Sequence, residues 1–396
     1  MRIAIIADTY LPLRTSGAVQ LRDLAQELVR QGHAVTVLVP STEIDQPWAL
    51  EMLNGVQVLR LKAFRTKDIG RVRRTISESL LSFAMWRGWR QSPLRNERWD
   101  GVIWYSPTIF LGPLAGAVRR ASGCRGYLIL RDIFPEWAVD MGLLRRGAIY
   151  QFFKAVERFQ YSVADTIGVQ SPSNFPYFAA WAGKPGRRVE VLQNWLADAV
   201  DVGCSISVAD TPLAGRTIFV YAGNMGVAQG MDVFIDLAVR LQQRPDVGFL
   251  FVGRGTDAQR LRALAAERAL DNVVFQDEVE PHEVPGLLAQ CHVGLVALDP
   301  RHTTHNVPGK FLTYMYAGLP VLARINPGND LAALIEADGV GYAYAGDSVD
   351  ALLGLAERLA DGSENRESVA TRARALAARE FSPQAVANQI LEGLRR

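Results

Sequence analysis

Four short runs in this chain hold the residue types that chemistry on a phosphorylated or hydroxylated small molecule would need. Arg131-Asp132-Ile133-Phe134-Pro135-Glu136 follows an apolar run rich in Leu and Ile, which sets a guanidinium and two carboxylates just past the end of a predicted strand. Such a cluster could orient a polyol, although a solvated loop with an Arg-Asp pair has the same composition. Tyr221-Ala222-Gly223-Asn224-Met225-Gly226, with Gln229 just beyond, leaves another predicted strand and meets a helix a few residues later. Glycines there would let backbone N–H groups and a helix N-terminus face an anion, while an ordinary strand-to-helix turn would read the same way. Asn306-Val307-Pro308-Gly309-Lys310-Phe311-Leu312-Thr313 puts a glycine and a lysine at a helix start, offering free amides and a mobile cation or simply a well-begun helix with a solvated lysine. Gly17 is a fourth, weaker candidate, because the first strand-to-helix turn of such a fold needs a glycine for steric reasons alone.

Two patterns are absent from the sequence. No G-x-G-x-x-G follows the first strand and no G-x-x-x-x-G-K-[ST] occurs, which argues against a dehydrogenase and against a P-loop enzyme. His302 and His305 lie three apart with no third ligand nearby in sequence, so no metal site is expected, and the pair is kept as a possible contact for a sugar.

These runs need elements to position them. Arg2–Ala7 is a short apolar run, Val19–Gln31 is amphipathic with Leu21, Leu24, Ala25 and Leu28 on one face, Gly32 stops it, and Ala34–Val39 is apolar again. Strand, helix, strand in that order predicts a right-handed βαβ unit in a parallel sheet. Further strands are expected at Val56–Leu61, Val102–Tyr105, Gly126–Leu130 and Thr166–Gln170. From Arg187 the text turns to small and turn-forming residues and reads as a linker. A second cycle then predicts strands at Ile218–Tyr221, Gly248–Val252, Val273–Phe275, Val293–Ala297 and Pro320–Ala323, with helices between them. The fold class is α/β, two Rossmann-like domains in tandem: 1–198 together with a C-terminal helix 380–396 that crosses back, and 199–379. In open α/β sheets ligands bind outside the carboxyl ends of the strands, which is where all four runs fall.

Composition bounds the rest. At 396 residues two domains are the default, and a hydrophobic fraction of 49% with 21% charged residues is that of a globular protein. A net charge of +2 gives no argument for nucleic acid. Cys124, Cys204 and Cys291 are widely spaced with no C-x-x-C pair, which fits a reducing cytoplasm, and the opening MRIAIIADTY reads as a first strand rather than a leader.

Taken together, the runs resemble the GT-B-fold glycosyltransferases of family 4, in particular the bacterial branch that builds O-antigen and capsule with N-acetylated amino-sugars. The likeness spans almost the whole chain. It rests on Ser16-Gly17, on Arg131-Asp132-Ile133-Phe134-Pro135-Glu136, which is similar to that branch's R-D-x-W/F-P-E signature, and on Ser171-Pro172-Ser173-Asn174 and Asn194-Trp195. It continues through Tyr221–Gly226 with Gln229-Gly230 and through Pro308-Gly309-Lys310-Phe311-Leu312-Thr313 to Pro320. The resemblance implies two domains facing each other across a cleft and a UDP-sugar donor bound mainly by the second. Its diphosphate would lie on Gly223, Asn224, Met225, Gln229, Pro308, Gly309, Lys310, Phe311 and Thr313, with His305 beside them, its base against Phe275 to Val279, and Gly17 approaching the diphosphate. It further implies a retaining, metal-independent reaction in which the leaving diphosphate takes the acceptor's proton. Arg131, Asp132, Glu136 and Lys310 would be the catalytic residues, Lys310 stabilising charge on the β-phosphate. The acceptor class implied is a lipid-linked saccharide or lipopolysaccharide, no cofactor is implied, and the location is cytoplasmic, peripheral on the inner face of the cytoplasmic membrane.

The chain departs from the family pattern in three places. His305 and Thr313 stand where relatives carry the two carboxylates of an E-x7-E pair, one of which holds ribose. Asn224 and Gln229 stand where many carry Arg and Lys, and Arg131 where a His is common. The region Arg60–Arg98 carries Lys62, Arg65, Lys67, Arg71, Arg73, Arg74, Arg87 and Arg90 among Leu80, Leu81, Phe83, Met85, Trp86 and Trp89, a pattern expected of contact with an anionic membrane or of a core helix with a solvated basic face. Two other readings share the fold: a nucleotide-sugar 2-epimerase, which needs carboxylates and a histidine at C2, and a non-catalytic subunit that binds a nucleotide-sugar.

Overall fold

Apolar runs bounded by turn residues become strands buried on both faces, and the amphipathic segments between them become the covering helices. The computed structural model describes all residues except 14, 66–69, 141, 227–228, 300–306, 363–364 and 396, and the side chains at 71, 72 and 74. The chain divides into two units, Met1–Trp195 with Pro383–Arg396, and Leu196–Ser382.

The first unit is built on an eight-stranded sheet of β1 (Arg2–Ile6), β2 (Ala34–Ser41), β3 (Trp48–Leu53), β4 (Val56–Lys62), β5 (Gly101–Ser106), β6 (Arg125–Leu130), β7 (Thr166–Val169) and β8 (Arg188–Val191), in the order β3-β4-β2-β1-β5-β6-β7-β8. All neighbours are parallel except β3, which folds back antiparallel on β4 across Asn54-Gly55, both at positive φ as a two-residue hairpin turn demands. Its helices are α1 (Ser16–Arg30), α2 (Arg71–Gln91), α3 (Gly112–Ser122), α4 (Glu136–Asp140), α5 (Ala148–Val163) and α6 (Phe175–Ala182). Alternation along β1 sorts the core: Ile3 and Ile5 pack with Leu21, Leu24 and Leu28 of α1, whereas Ala4 and Ile6 face the cluster holding Leu81, Met85 and Trp89 of α2, Leu114 of α3 and Tyr161 of α5. The expected linker from Arg187 begins later than its composition suggests. Arg188–Val191 pairs with β7 as the edge strand β8, and the two charged residues among its four hide the strand pattern.

The second unit carries a six-stranded, wholly parallel sheet of β9 (Thr217–Ala222), β10 (Val247–Val252), β11 (Val273–Gln276), β12 (Val293–Ala297), β13 (Val321–Arg324) and β14 (Gly341–Tyr344), ordered β11-β10-β9-β12-β13-β14. The helices are α7 (Asp232–Arg240), α8 (Ala258–Glu267), α9 (Val284–Leu288), α10 (Gly309–Ala317), α11 (Leu331–Asp338), α12 (Val349–Ala360) and α13 (Arg366–Leu376). The strand order reverses between β9 and β12, so the loop after β9 sits at the switch point where ligands enter such sheets.

The last helix, α14 (Pro383–Arg395), belongs to the first unit. Val386, Ile390 and Leu394 join the cluster of Ile3, Ile5 and α1, and Gln389 donates to the Glu190 carboxylate at 3.0 Å and to the Val191 carbonyl at 2.7 Å. A side chain at Gly101 would collide with Leu394, its Cβ falling 2.6 Å from a leucine methyl, so β5 needs glycine there for the helix to lie flat.

Candidate functional site

In the second unit the loops after β9 and β10 run side by side beyond the sheet. Gly223 N–H donates to the Val252 carbonyl at 2.9 Å and Met225 N–H to the Arg254 carbonyl at 2.8 Å, which extends the strand pairing into the loops. The approach is possible only because Gly253 and Gly255, at φ of 138° and 159°, lack side chains: a Cβ on Gly253 would lie 2.2 Å from the Gly223 carbonyl oxygen. Tyr221 holds the near end by donating from its hydroxyl to the Asn224 carbonyl at 2.7 Å, and Gln229 the far end by accepting from Gly226 N–H at 2.9 Å.

A cavity of about 570 Å³ opens at these loops, of the size that takes a small ligand. Ala222, Gly223, Asn224, Gly253 and Arg254 line one side, Val252, Glu278, Val279 and Val284 another, and Lys310, Thr313 and Tyr314 of α10 a third. Pro308 sits at the N-cap of α10, where no side chain caps the helix, so the first-turn amides and the positive end of the helix are turned to this region. The Lys310 ammonium lies over the Tyr221 ring, 4.4 Å from its centre, and a Cβ on Gly223 would be 3.3 Å from Nζ. Burial lowers its pKa from the ordinary lysine value of 10.5 to about 8. A cation whose charge is penalised by its surroundings, beside an open glycine loop, is a ready partner for an anion.

The residues expected on the donor fall into three groups. Gly223, Asn224, Lys310, Thr313 and Val279 line the cavity, and Pro308 and Gly309 open the helix beside it. Met225, Phe311 and Phe275 turn their side chains into the core. Met225 and Phe311 are fully buried, and Phe275 stacks on Phe251 with ring centres 5.0 Å apart. The reason is strand and helix geometry: Phe275 shares the face of its register partner Phe251, and Phe311 packs edge-on to Phe381 on the inner side of α10. Gln229 braces the loop rather than lining the cavity. His305 lies outside the described residues. The cavity wall also includes Arg254 and Glu278, paired at 2.9 Å, which the sequence reading does not single out. Their signal was present as Gly-Arg-Gly directly after β10 and an acidic pair directly after β11.

In the first unit, Gly17 sits in the first turn of α1 behind the Thr15 cap, and its lack of a side chain admits Tyr105, whose ring would lie 3.1 Å from a Cβ. The Arg131 guanidinium is spent inside the fold. It donates to the Leu192 carbonyl at 2.8 Å and the Gln193 carbonyl at 3.2 Å and lies 5.1 Å over the Trp195 ring. Trp195 in turn donates to the Gln20 carbonyl at 2.7 Å. Asp132 is open to solvent, yet desolvation on its crowded side holds its carboxyl above the usual value against the pull of Arg131. Glu136 accepts from Tyr150 at 2.9 Å and from Lys154 at 2.7 Å, and despite the cost of burial these bonds keep its carboxyl below the usual range. Of the three charged groups in this loop, Asp132 is the one that faces outward.

On α2, Leu81, Met85 and Trp89 are core residues, while Leu80, Phe83 and Trp86 are exposed and Arg90 lies over the Trp86 ring. Lys67 is outside the described residues, and the side chains of Arg71 and Arg74 are likewise undescribed. Among the described residues no helix is long and apolar enough to cross a membrane.

Comparison with known proteins covers both units. Residues 16–195 match the family described as a glycosyl transferase 4-like domain, and residues 216–361 the family described as glycosyl transferases group 1. A protein of Escherichia coli (strain K12) assigned to colanic acid biosynthesis as the glycosyl transferase WcaI is 25% identical over 417 residues, covering 100% of each chain. Among solved structures, the sucrose-phosphate synthase of Thermosynechococcus elongatus superposes with a TM-score of 0.69 at 18% identity, covering 100% of this chain and 98% of that one. Anabaena HepE, solved in complex with UDP-glucose, superposes with a TM-score of 0.64 at 15% identity, covering 100% and 99%.

Proposed function

The chain belongs to the GT-B glycosyltransferases of family 4, and on that premise we propose that it moves a sugar, an N-acetylated amino-sugar in our reading, from a UDP donor to a lipid-linked saccharide or lipopolysaccharide acceptor in the making of a cell-surface polysaccharide. The observation that carries the donor half is the Lys310 ammonium, lying over Tyr221 beside the open Gly223 loop at the uncapped start of α10. A diphosphate placed there would meet one cation and several backbone N–H groups, which is what a leaving group gaining negative charge requires. In the reaction we propose, the acceptor hydroxyl oxygen bonds to the anomeric carbon as the bond from that carbon to the β-phosphate oxygen breaks. The hydroxyl proton passes to the departing diphosphate on the same face, so configuration is retained and no metal is called on.

Val279 and Val252 offer an apolar wall for the base. In the first unit Asp132 is the group we assign to the acceptor or the transferred sugar, with Arg131 and Glu136 fixing the loop that carries it. The relative in colanic acid biosynthesis supports the polysaccharide setting, and HepE with UDP-glucose supports the choice of base. The exposed Leu80, Phe83 and Trp86 with Arg90 on α2 support peripheral contact with the anionic inner face of the cytoplasmic membrane. The test is release of UDP from UDP-N-acetylhexosamines in the presence of membrane-extracted lipid-linked saccharides, followed by anomeric assignment of the product. Release without transfer, or transfer from another nucleotide alone, overturns the assignment.

A further inference from the structure

Helix α5 is apolar on two faces. Its inward face buries Tyr150, Phe153, Tyr161 and Val163 together with Glu157 and Gln160, while Ile149, Phe152 and Phe159 on its outward face are 65%, 47% and 46% exposed. With Val156 these three follow the spacing of one helical stripe, and Leu143 before the helix and Phe175 at the start of α6 are exposed as well. Isolated exposed apolar residues are ordinary, but an outward stripe three turns long, on a helix whose other face already fills the core, marks a surface made to be covered.

Charge says what covers it. Between Gly142 and Arg188 the acids are Glu157 and Asp165, and both are turned inward in ion pairs, Glu157 with Lys154 at 2.9 Å and Asp165 with Arg119 at 2.8 Å. Arg145, Arg146 and Arg158 are exposed around the stripe, and Lys184, Arg187 and Arg188 follow α6. Phenylalanines set in a field of one sign fit the headgroup boundary of an anionic bilayer, where rings enter the acyl region and guanidinium groups meet phosphates. A second copy of the chain would bring the same positive charge against it.

We propose that the outward face of α5 is a docking surface for an anionic lipid bilayer, wired to the Asp132 loop. The wiring is on the inner side: Tyr150 and Lys154 of α5 both donate to Glu136, four residues beyond Asp132, and Tyr177 of α6 closes the network on Glu157 and Lys154. Docking α5 therefore sets the outward carboxylate of that loop at the membrane surface, where a lipid-linked acceptor is found. The α2 contact proposed above lies on the same side of the sheet, since both α2 and α5 pack on the turn Ile109–Leu111. The purpose given to docking rests on the transferase reading, but the docking is tested without donor or acceptor.

The experiment is flotation of the full chain with phosphatidylglycerol vesicles and with phosphatidylcholine vesicles at low salt. The wild type floats with the first and not the second. Replacing Arg145, Arg146 and Arg158 by Ser lowers the partition on the order of a hundredfold, at about a fivefold loss per arginine near a charged surface. Phe152→Ser with Phe159→Ser lowers it on the order of tenfold, and both variants keep the wild-type melting temperature because the side chains are exposed. Phe83→Ser with Trp86→Ser reports the α2 contact separately. Full flotation of both α5 variants overturns the proposal, as does a wild type that stays in solution, or a dimer that dissociates on replacing Phe152 and Phe159. Loss of any UDP-induced stabilisation would instead strike the donor reading and leave docking standing.

Discussion

Nζ of Lys310 lies 4.4 Å from the centre of the Tyr221 ring, and the Tyr221 hydroxyl donates to the carbonyl of Asn224, so the cation and the glycine loop are held by one aromatic side chain. That arrangement joins the two phosphate candidates of the sequence, one after β9 and one before α10, in the lining of one cavity.

Lys310→Ala should lower kcat on the order of a hundredfold, the usual effect of removing one donor aimed at developing charge. The folded chain should lose no stability, since the ammonium it gives up is one that burial penalises. Steady-state turnover and thermal melting check both halves. Unchanged turnover removes Lys310 from the chemistry.

The lowered pKa of Lys310 has a sign that can be measured. Between about 8 and the ordinary 10.5 the unfolded chain binds a proton at this position that the folded chain has released, so ligand-free stability gains from this group as pH rises through that window. Diphosphate binding needs the charged form, so affinity for UDP should fall as pH rises past about 8, and binding at that pH should take up protons. Calorimetry in two buffers of different ionisation enthalpy measures the uptake. Lys310→Met should abolish it, and uptake that persists in that variant contradicts the assignment.

Arg131 and Asp132 are neighbours with opposite expectations. Arg131→Met leaves the Leu192 and Gln193 carbonyls without their donor and should cost roughly 3 kcal/mol of stability with donor affinity unchanged. Asp132→Asn should leave the melting temperature alone and reduce transfer more than UDP binding. Denaturant unfolding and a binding assay on both variants decide the matter, and a weakened UDP affinity in Asp132→Asn would put that carboxylate on the donor.

Glu136→Gln should behave between these two. It weakens the bonds from Lys154 and Tyr150, and it leaves Lys154 paired to Glu157 alone. We expect partial loss of transfer that Glu136→Asp does not restore, because the shorter side chain cannot reach α5. Full activity in Glu136→Gln would detach this network from the reaction.

Turnover should be insensitive to chelation, since in this account Lys310 and the backbone amides carry the diphosphate charge. Assays with and without EDTA, and with added Mg²⁺ or Mn²⁺, check this. A rate that collapses on chelation and returns with metal would require a different electrostatic partner.

Much of the fold was legible because its strands are buried on both faces. Ile3 to Ile6 and Phe249 to Val252 are continuous, β-rich apolar runs bounded by turn residues, which is how interior parallel strands read. The edge strands were not: β3 faces solvent on alternate residues, β8 is four residues of which two are charged, and β14 reads only Gly-Tyr-Ala-Tyr. Asn54-Gly55 was a hairpin signal for β3, and Ser348 and Asn365 are cap residues that mark α12 and α13. At the site, residue types and their order singled out two loops that the structure brings to one cavity, but they could not say which members turn inward. Met225, Phe311 and Phe275 stand next to cavity residues in the chain and face the core, because side-chain direction is set by strand alternation and helix phase. Arg131 looked like a ligand for the same reason that it makes a good brace, since a guanidinium has several donors and two backbone carbonyls took them.

The measurement closest to the central claim is thermal melting of the wild type and of Lys310→Ala with UDP, GDP, CDP, dTDP and UDP-N-acetylhexosamines, each in large excess. A ligand at about a hundred times its Kd adds about 2.7 kcal/mol to the native state, which for a domain of this size is a rise of several degrees. The account predicts that UDP and its amino-sugars raise the wild-type melting temperature selectively, and that the rise shrinks in Lys310→Ala. No shift with any nucleotide, or an equal shift in the variant, would contradict it and move the chain towards a non-catalytic role.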